Sequence, residues 1–328
     1  MDPLIDRFGR RHTYLRVSVT DRCNLRCRYC MPEEGIVWQD KNNLLSFEEI
    51  ERLVRLFADL GITKVRLTGG EPLARHDLHL LVRKLHSIGG IEKLAMTTNA
   101  TLLSAELPKL RSAGLEELTV SLDTLRPERF REITFRDEFE TVWQGIESAI
   151  SLGYSPIKLN VVLMGGVNED EILDFVQLAT ERPILVRFIE YMPFKSNGWT
   201  SARLVPYKMA LERIRERFEV DAITSEDPSF VAREFSVNRG SGTIGFITSM
   251  TEDFCSTCSR IRLTPDGAVK SCLHYAEEFS LRDAMRDGAS DQDLEAIIRL
   301  SVAGKPERHA PQEELYQIEN RTMIEIGG

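Results

Sequence analysis

A chain of 328 residues, 42% hydrophobic and 28% charged, has room for one large domain or two ordinary ones, and its composition excludes both a disordered chain and a bundle of membrane spans. A net charge of −9 weighs against general nucleic-acid binding but not against a small anion gripped by a few local arginines. The N-terminal Asp2-Pro3-Leu4-Ile5-Asp6-Arg7 lacks the apolar stretch of a signal peptide, so a cytoplasmic location, with neither a membrane nor a nucleic acid as partner, is expected.

In chain order, the pattern predicts strands at Leu15–Thr20, Lys64–Thr68, Lys93–Thr98, Glu117–Leu122, Ile157–Leu163 and Ile184–Glu190. Amphipathic helices separate them. Ser46 with Glu49 reads as a capping box before Ile50, Leu53, Val54 and Phe57; Asn168 with Glu171 repeats the pattern before Ile172, Phe175 and Val176. Leu78, Leu81, Val82 and Leu85 mark another helix. Six strand-then-helix units in series imply an α/β fold with a parallel sheet.

The strand faces narrow the choice. Arg16, Ser18 and Thr20 oppose Leu15, Val17 and Val19; Arg66 and Thr68 oppose Val65 and Leu67. Thr119, Ser121 and Asp123 oppose Leu118, Val120 and Leu122, while Lys158 and Asn160 oppose Leu159 and Val161. Strands covered by helices on both faces would be apolar on both. One apolar and one polar, partly basic face implies a curled sheet around a wet interior: an open, partial (βα)6 barrel. Beyond it, Pro206–Phe218 reads as a helix and Phe230–Thr248 as a hairpin turning at Asn238-Arg239-Gly240-Ser241-Gly242. We therefore expect a barrel over residues 1–205 and a C-terminal α+β extension over 206–328 that ends in Gly327-Gly328.

Six cysteines fall into two groups of three, a pattern that in a reducing compartment points to metal or redox chemistry rather than disulfides. The first group, Cys23-x3-Cys27-x2-Cys30, follows the first strand. Three thiolates on a short loop can hold three irons of a 4Fe–4S cluster and leave the fourth open; a structural zinc loop lacking its fourth ligand is the alternative. This spacing resembles the signature of the radical S-adenosylmethionine superfamily. Thr68-Gly69-Gly70-Glu71-Pro72, by itself merely a turn after the second strand, is in this company similar to the superfamily's GGEP motif. The resemblance implies that S-adenosylmethionine chelates the open iron, with Gly70 meeting its amino group, Tyr29 beside its adenine, and Ser121 and Met192 as further contacts. Tyr29 could equally pack the loop, and Ser121 and Thr97 could make only local strand-end bonds.

The second group is Cys255-x2-Cys258-x13-Cys272, with His274 two residues on, so spacing alone leaves a Cys3His zinc site open. The surrounding Phe254-Cys255-Ser256-Thr257-Cys258-Ser259-Arg260-Ile261-Arg262-Leu263, together with Tyr14–Cys23, Arg187–Met192 and the terminal glycines, resembles the GTP 3',8-cyclase family over nearly the whole chain. Ala100 departs from it, standing where the family usually has glycine. The resemblance implies two 4Fe–4S clusters and S-adenosylmethionine as cofactors. GTP is then the substrate, its guanine at the second cluster and its phosphates among Arg16, Arg66, Lys158, Arg187, Arg260 and Arg262, with Thr97 nearby. A buried cation needs an anion, and arginine's planar fork suits phosphate; internal ion pairs with Asp123 or Glu190 are the plainer alternative. The family reaction carries a hydrogen from C3' of GTP to the 5'-deoxyadenosyl radical, then joins C3' to C8, in molybdenum cofactor biosynthesis. It further implies an electron donor, a downstream cyclic pyranopterin monophosphate synthase, and room for a homodimer. Two other readings stand beside it: a radical enzyme acting on a peptide, which needs no basic lining, and a non-catalytic iron–sulfur sensor, which needs no Gly-Gly-Glu-Pro loop.

Overall fold

The computed structural model describes residues 2–31, 35–36, 38–194, 197–225 and 230–327. Twelve strands are found among them: β1 Tyr14–Ser18, β2 Lys64–Thr68, β3 Lys93–Thr98, β4 Glu117–Ser121, β5 Ile157–Leu163, β6 Ile184–Glu190, β7 Val220–Ile223, β8 Arg233–Val237, β9 Gly242–Ile247, β10 Arg260–Leu263, β11 Ala268–Lys270 and β12 Phe279–Ser280. All belong to one sheet, in the order β12-β11-β10-β1-β2-β3-β4-β5-β6-β9-β8-β7. The run from β10 through β1–β6 to β9 is entirely parallel. The partial six-unit barrel is therefore extended at both edges by strands of the C-terminal segment, β10 on one side and β9 on the other.

The apolar strand faces bury against the helices as the alternation requires. Leu15, Val17, Val65, Leu67, Val120, Leu159 and Val161 pack in one core with Ile50, Leu53, Val54 and Phe57 of the helix Phe47–Asp59. Ser46 and Glu49 close their capping box at 3.1 and 2.7 Å. The box expected at Asn168 and Glu171 does not form. Asn168 instead bonds the Met164 N–H and the Asp123 and Val162 carbonyls. Glu171 accepts from the Thr124 hydroxyl and the Leu125 N–H. The strand-to-helix crossing there demands more of these two side chains than the helix end does.

β1 stops at Ser18 rather than Thr20, because the Thr20 carbonyl turns to take the Gly70 N–H at 2.8 Å. The predicted hairpin forms as β8 and β9, and β7, unforeseen from the sequence, pairs outside β8. No helix among the described residues is long and apolar enough to cross a membrane.

Candidate active site

Parallel strands put like ends together, and the two cysteine triads use opposite ends. Cys23, Cys27 and Cys30 follow the C-terminal end of β1. Cys255 and Cys258 precede β10, whose Arg260 pairs with Tyr14 at the start of β1. Antiparallel β11 pairs Lys270 with Arg262, so Cys272, two residues on, returns to the level of Arg260. The triads thus stand at least one β1 length apart, about 13 Å at the usual strand rise. Both open into the same cavity, of about 710 Å³.

At the first triad, backbone meets backbone. Gly70 lies so close to the preceding loop that a Cβ there would stand 2.3 Å from the Arg22 carbonyl oxygen, and Glu71 N–H donates to that oxygen at 2.8 Å. The fully buried Glu71 carboxylate accepts from Leu73 N–H, Thr98 hydroxyl and Asn99 N–H, tying the end of β2 to the end of β3. Asn99 Nδ2 in turn lies 3.7 Å from Cys23 Sγ. Burial, with Glu71 nearby, pushes the Cys23 thiol up to about 11. Burial and neighbouring anionic groups raise Cys27 and Cys30 as well. A bound metal cation would favour the thiolate forms that burial opposes. The Tyr29 hydroxyl is held well above its ordinary value by burial and the nearby Asp123, whose carboxylate accepts from the Val162 N–H at 2.8 Å.

The second triad sits among cations. Arg10 Nη1 donates to the Cys255 carbonyl at 2.7 Å, and the buried Lys305 Nζ reaches the Arg260 carbonyl at 2.8 Å and Cys258 Sγ at 3.5 Å. Burial would raise the Cys258 thiol, but the charges of Arg260 and Lys305 bring it down to about 6. His274 stacks on Phe194 with ring centroids 5.4 Å apart, and burial holds it neutral. Among the described residues, no three His, Cys, Asp or Glu side chains stand close enough to hold a single metal ion. Three thiols in each group can ligate three irons of a four-iron cluster and leave the fourth open.

Between the triads the lumen is basic. Lys64, Arg66 and Lys158 converge on one oxygen of Glu117, at 2.8, 3.2 and 3.0 Å. Arg66 is further held by the Tyr14 hydroxyl at 2.5 Å, Thr119 at 2.8 Å, the Met96 carbonyl at 3.1 Å and Thr97 at 3.3 Å. Burial alone would raise the Tyr14 phenol, but the charges of Arg66, Arg16 and Lys64 bring it down to about 7. Arg187 donates to Asn160 and Thr119, and Arg262 to the Gly327 carbonyl at 3.1 Å. Gly327 has φ +85°, and a Cβ on it would lie 2.5 Å from Ser18 Cβ. The tail therefore enters the lumen at a point that admits no side chain. Gly328 lies outside the described residues.

Family models fit the two halves of this arrangement: one described as Radical SAM superfamily matches residues 17–179, and one described as Molybdenum Cofactor Synthesis C matches 184–311. GTP 3',8-cyclase of Heliobacterium modesticaldum is 44% identical, over 99% of this chain and all of that one. The mitochondrial GTP 3',8-cyclase of Arabidopsis thaliana is 47% identical, over 100% of this chain and 84% of that one. The chain belongs to the GTP 3',8-cyclase family. It also matches molybdenum cofactor biosynthesis protein 1 of Mus musculus at 49% identity over 99% of its length, spanning about half (51%) of that protein. In fold it is similar to Streptococcus suis SuiB bound to S-adenosylmethionine, with a TM-score of 0.61 and 15% identity over 89% of this chain and 67% of that one.

Every candidate residue named from the sequence lines the one cavity: the six cysteines, Tyr29, Gly70, Ser121, Met192, Arg16, Arg66, Thr97, Lys158, Arg187, Arg260 and Arg262. The anticipated ion-pair partners are not used as such. Glu190 accepts from the N–H groups of Tyr207, Met250 and Thr251, and Asp123 from that of Val162. Glu117 is the carboxylate that meets the cations. Sequence reasoning passed over it, along with Lys64, Tyr14 and Lys305. The first three were within reach: Tyr14 shares a face with Arg16, Lys64 with Arg66, and Glu117 with Thr119 and Ser121, by simple alternation.

Proposed function

We propose that this chain converts GTP to 3',8-cyclo-7,8-dihydroguanosine 5'-triphosphate, using S-adenosylmethionine and two 4Fe–4S clusters. The observation that carries this reading is a single cavity with a cysteine triad at each end and a cationic lining between. With clusters bound, reductive cleavage of S-adenosylmethionine supplies the radical that takes hydrogen from C3' of GTP. Cys23, Cys27 and Cys30 hold the cluster at one end, and the Gly70 backbone, Tyr29, Ser121 and Met192 orient S-adenosylmethionine beside it. Cys255, Cys258 and Cys272 hold the other, where the guanine edge docks. Arg16, Arg66, Lys158, Arg187, Arg260 and Arg262 neutralise the triphosphate, with Thr97 alongside. That fixes the ribose between the two ends, so the work of the chain is positioning and exclusion of water.

In this reading residues 1–205 bind S-adenosylmethionine and residues 206–328 complete the nucleotide site. An external electron donor, a reducing compartment such as the cytoplasm, and a downstream synthase that consumes the cyclic nucleotide follow from the chemistry, and the chain is read as able to pair as a homodimer. The test is anaerobic incubation of reconstituted protein with dithionite and S-adenosylmethionine, with and without GTP. A cyclase makes the cyclic nucleotide with 5'-deoxyadenosine, a peptide-modifying enzyme makes 5'-deoxyadenosine without responding to GTP, and a sensor makes neither.

A further inference from the structure

Among the described residues of the lumen, the convergence of three cations on one carboxylate oxygen is unlike any other carboxylate contact. Glu71 and Glu190 are tied down by backbone N–H donors. Among the described residues, the hydrogen bonds of Glu117 run only to Lys64, Arg66 and Lys158. Its side chain is 22% exposed, so a path to water is open to it once another anion takes its place among the cations. Arg66 cannot follow it, being pinned by Tyr14, Thr119, Met96 and Thr97. If Glu117 swung away, three positively charged donors would remain around one vacated oxygen position, which is the environment a phosphoryl oxygen requires.

We propose that Glu117 is a resident anion in the triphosphate subsite, its carboxylate holding a phosphoryl-oxygen position that the nucleotide must take over to bind. This rests on the triphosphate reading above. A tethered carboxylate competes at high effective concentration, so it lowers affinity for any triphosphate without touching the base or the ribose. Its function follows from the reaction. Substrate and product both carry the triphosphate, and a site that gripped it with unopposed cations would release product slowly. A carboxylate that returns as the phosphates leave keeps the cations paired throughout.

The experiment compares wild type with Glu117→Gln, both with reconstituted clusters, by calorimetric binding of GTP, inorganic tripolyphosphate and guanosine. The proposal expects GTP and tripolyphosphate each to bind the variant about tenfold tighter or more, the factor for one charge-assisted hydrogen bond, and guanosine to bind both proteins equally. Equal or weaker tripolyphosphate binding by the variant overturns it and makes Glu117 a scaffold for the cations. If wild type binds guanosine but neither phosphate compound adds affinity, the triphosphate reading falls and this proposal with it. Should the variant fold poorly, tripolyphosphate must raise its thermal midpoint more than it raises that of wild type. An equal or smaller rise also overturns the proposal.

Discussion

At Gly70 the clearance is set by main chain alone: the Arg22 carbonyl lies 2.3 Å from where a Cβ would begin, and backbone cannot yield as a side chain can. Gly70→Ala therefore has to push the first cysteine loop away. It should eliminate 5'-deoxyadenosine formation while leaving GTP binding at the far end of the lumen within about twofold, measured by product assay and equilibrium binding. Arg260→Ala and Arg262→Ala should each weaken GTP binding by about 1.5–3 kcal/mol, the range for a charge-assisted hydrogen bond. Unchanged affinity in both would remove them from the phosphate site. Ala100, the departure from the family pattern, sits at φ +64° and fully buried. Glycine there would relieve a left-handed penalty of about 1–2 kcal/mol but forfeit about 0.8 kcal/mol of methyl burial and add unfolded-state entropy. The terms nearly cancel, which explains why alanine is tolerated. Single residues were legible wherever a motif or a face pattern named them. Lys64 and Glu117 share those faces too, but a charged residue at a strand start reads as solvent-facing until the sheet curls and turns that face inward.

Among the elements, the C-terminal tail makes the sharpest claim. Ile324 and Ile326 are buried at 1% exposure and anchor the last turn, so Gly327 delivers its carbonyl to Arg262 and Thr68 without bearing the fold's weight. Deleting Gly327 and Gly328 should leave the thermal midpoint and iron content intact and abolish cyclisation. A normal kcat in the truncated enzyme would make the tail a mere terminus. A second claim concerns the N-terminal segment. Burial, reinforced by the charge of Lys305, holds His12 down at about 4. Since the folded value lies below the ordinary 6.5, the neutral form is the folded one. Its stabilisation is whole above pH 6.5 and is lost as pH falls toward 4, at up to about 1.4 kcal/mol per pH unit. The denaturation midpoint of wild type should therefore fall more steeply across that window than that of His12→Gln. The six barrel strands were readable because each is a short β-rich run, and four of them set a polar face against an apolar one, between amphipathic helical segments. The box at Asn168 was misread because its pattern serves a helix cap and a strand-to-strand tie equally well, and only the neighbouring Asp123 carbonyl decides between them.

For the molecule as a whole, what the sequence could not disclose is pairing between distant segments. Nothing local in Arg260–Leu263 or Gly242–Ile247 says that one strand joins β1 and the other β6; the first of these pairings, with the turn back along β11, puts the second triad at the opposite end of the lumen from the first. Replacing either triad with alanine should leave roughly half the iron, as expected for two four-iron clusters with three thiolates each, and the losses should differ in kind. Without Cys23, Cys27 and Cys30 no 5'-deoxyadenosine forms. Without Cys255, Cys258 and Cys272 slow, uncoupled cleavage persists but the cyclic nucleotide is lost. One zinc and about four irons per chain in the intact protein would instead place zinc at the second triad. The central claim is that the ribose of GTP lies between the two ends, with C3' facing the S-adenosylmethionine site. It is tested most directly by giving the reconstituted enzyme GTP deuterated at C3' and weighing the 5'-deoxyadenosine by mass spectrometry. The account predicts one deuterium per 5'-deoxyadenosine, matched mole for mole by cyclic nucleotide; unlabelled 5'-deoxyadenosine, formed at the same rate with and without GTP, would contradict it.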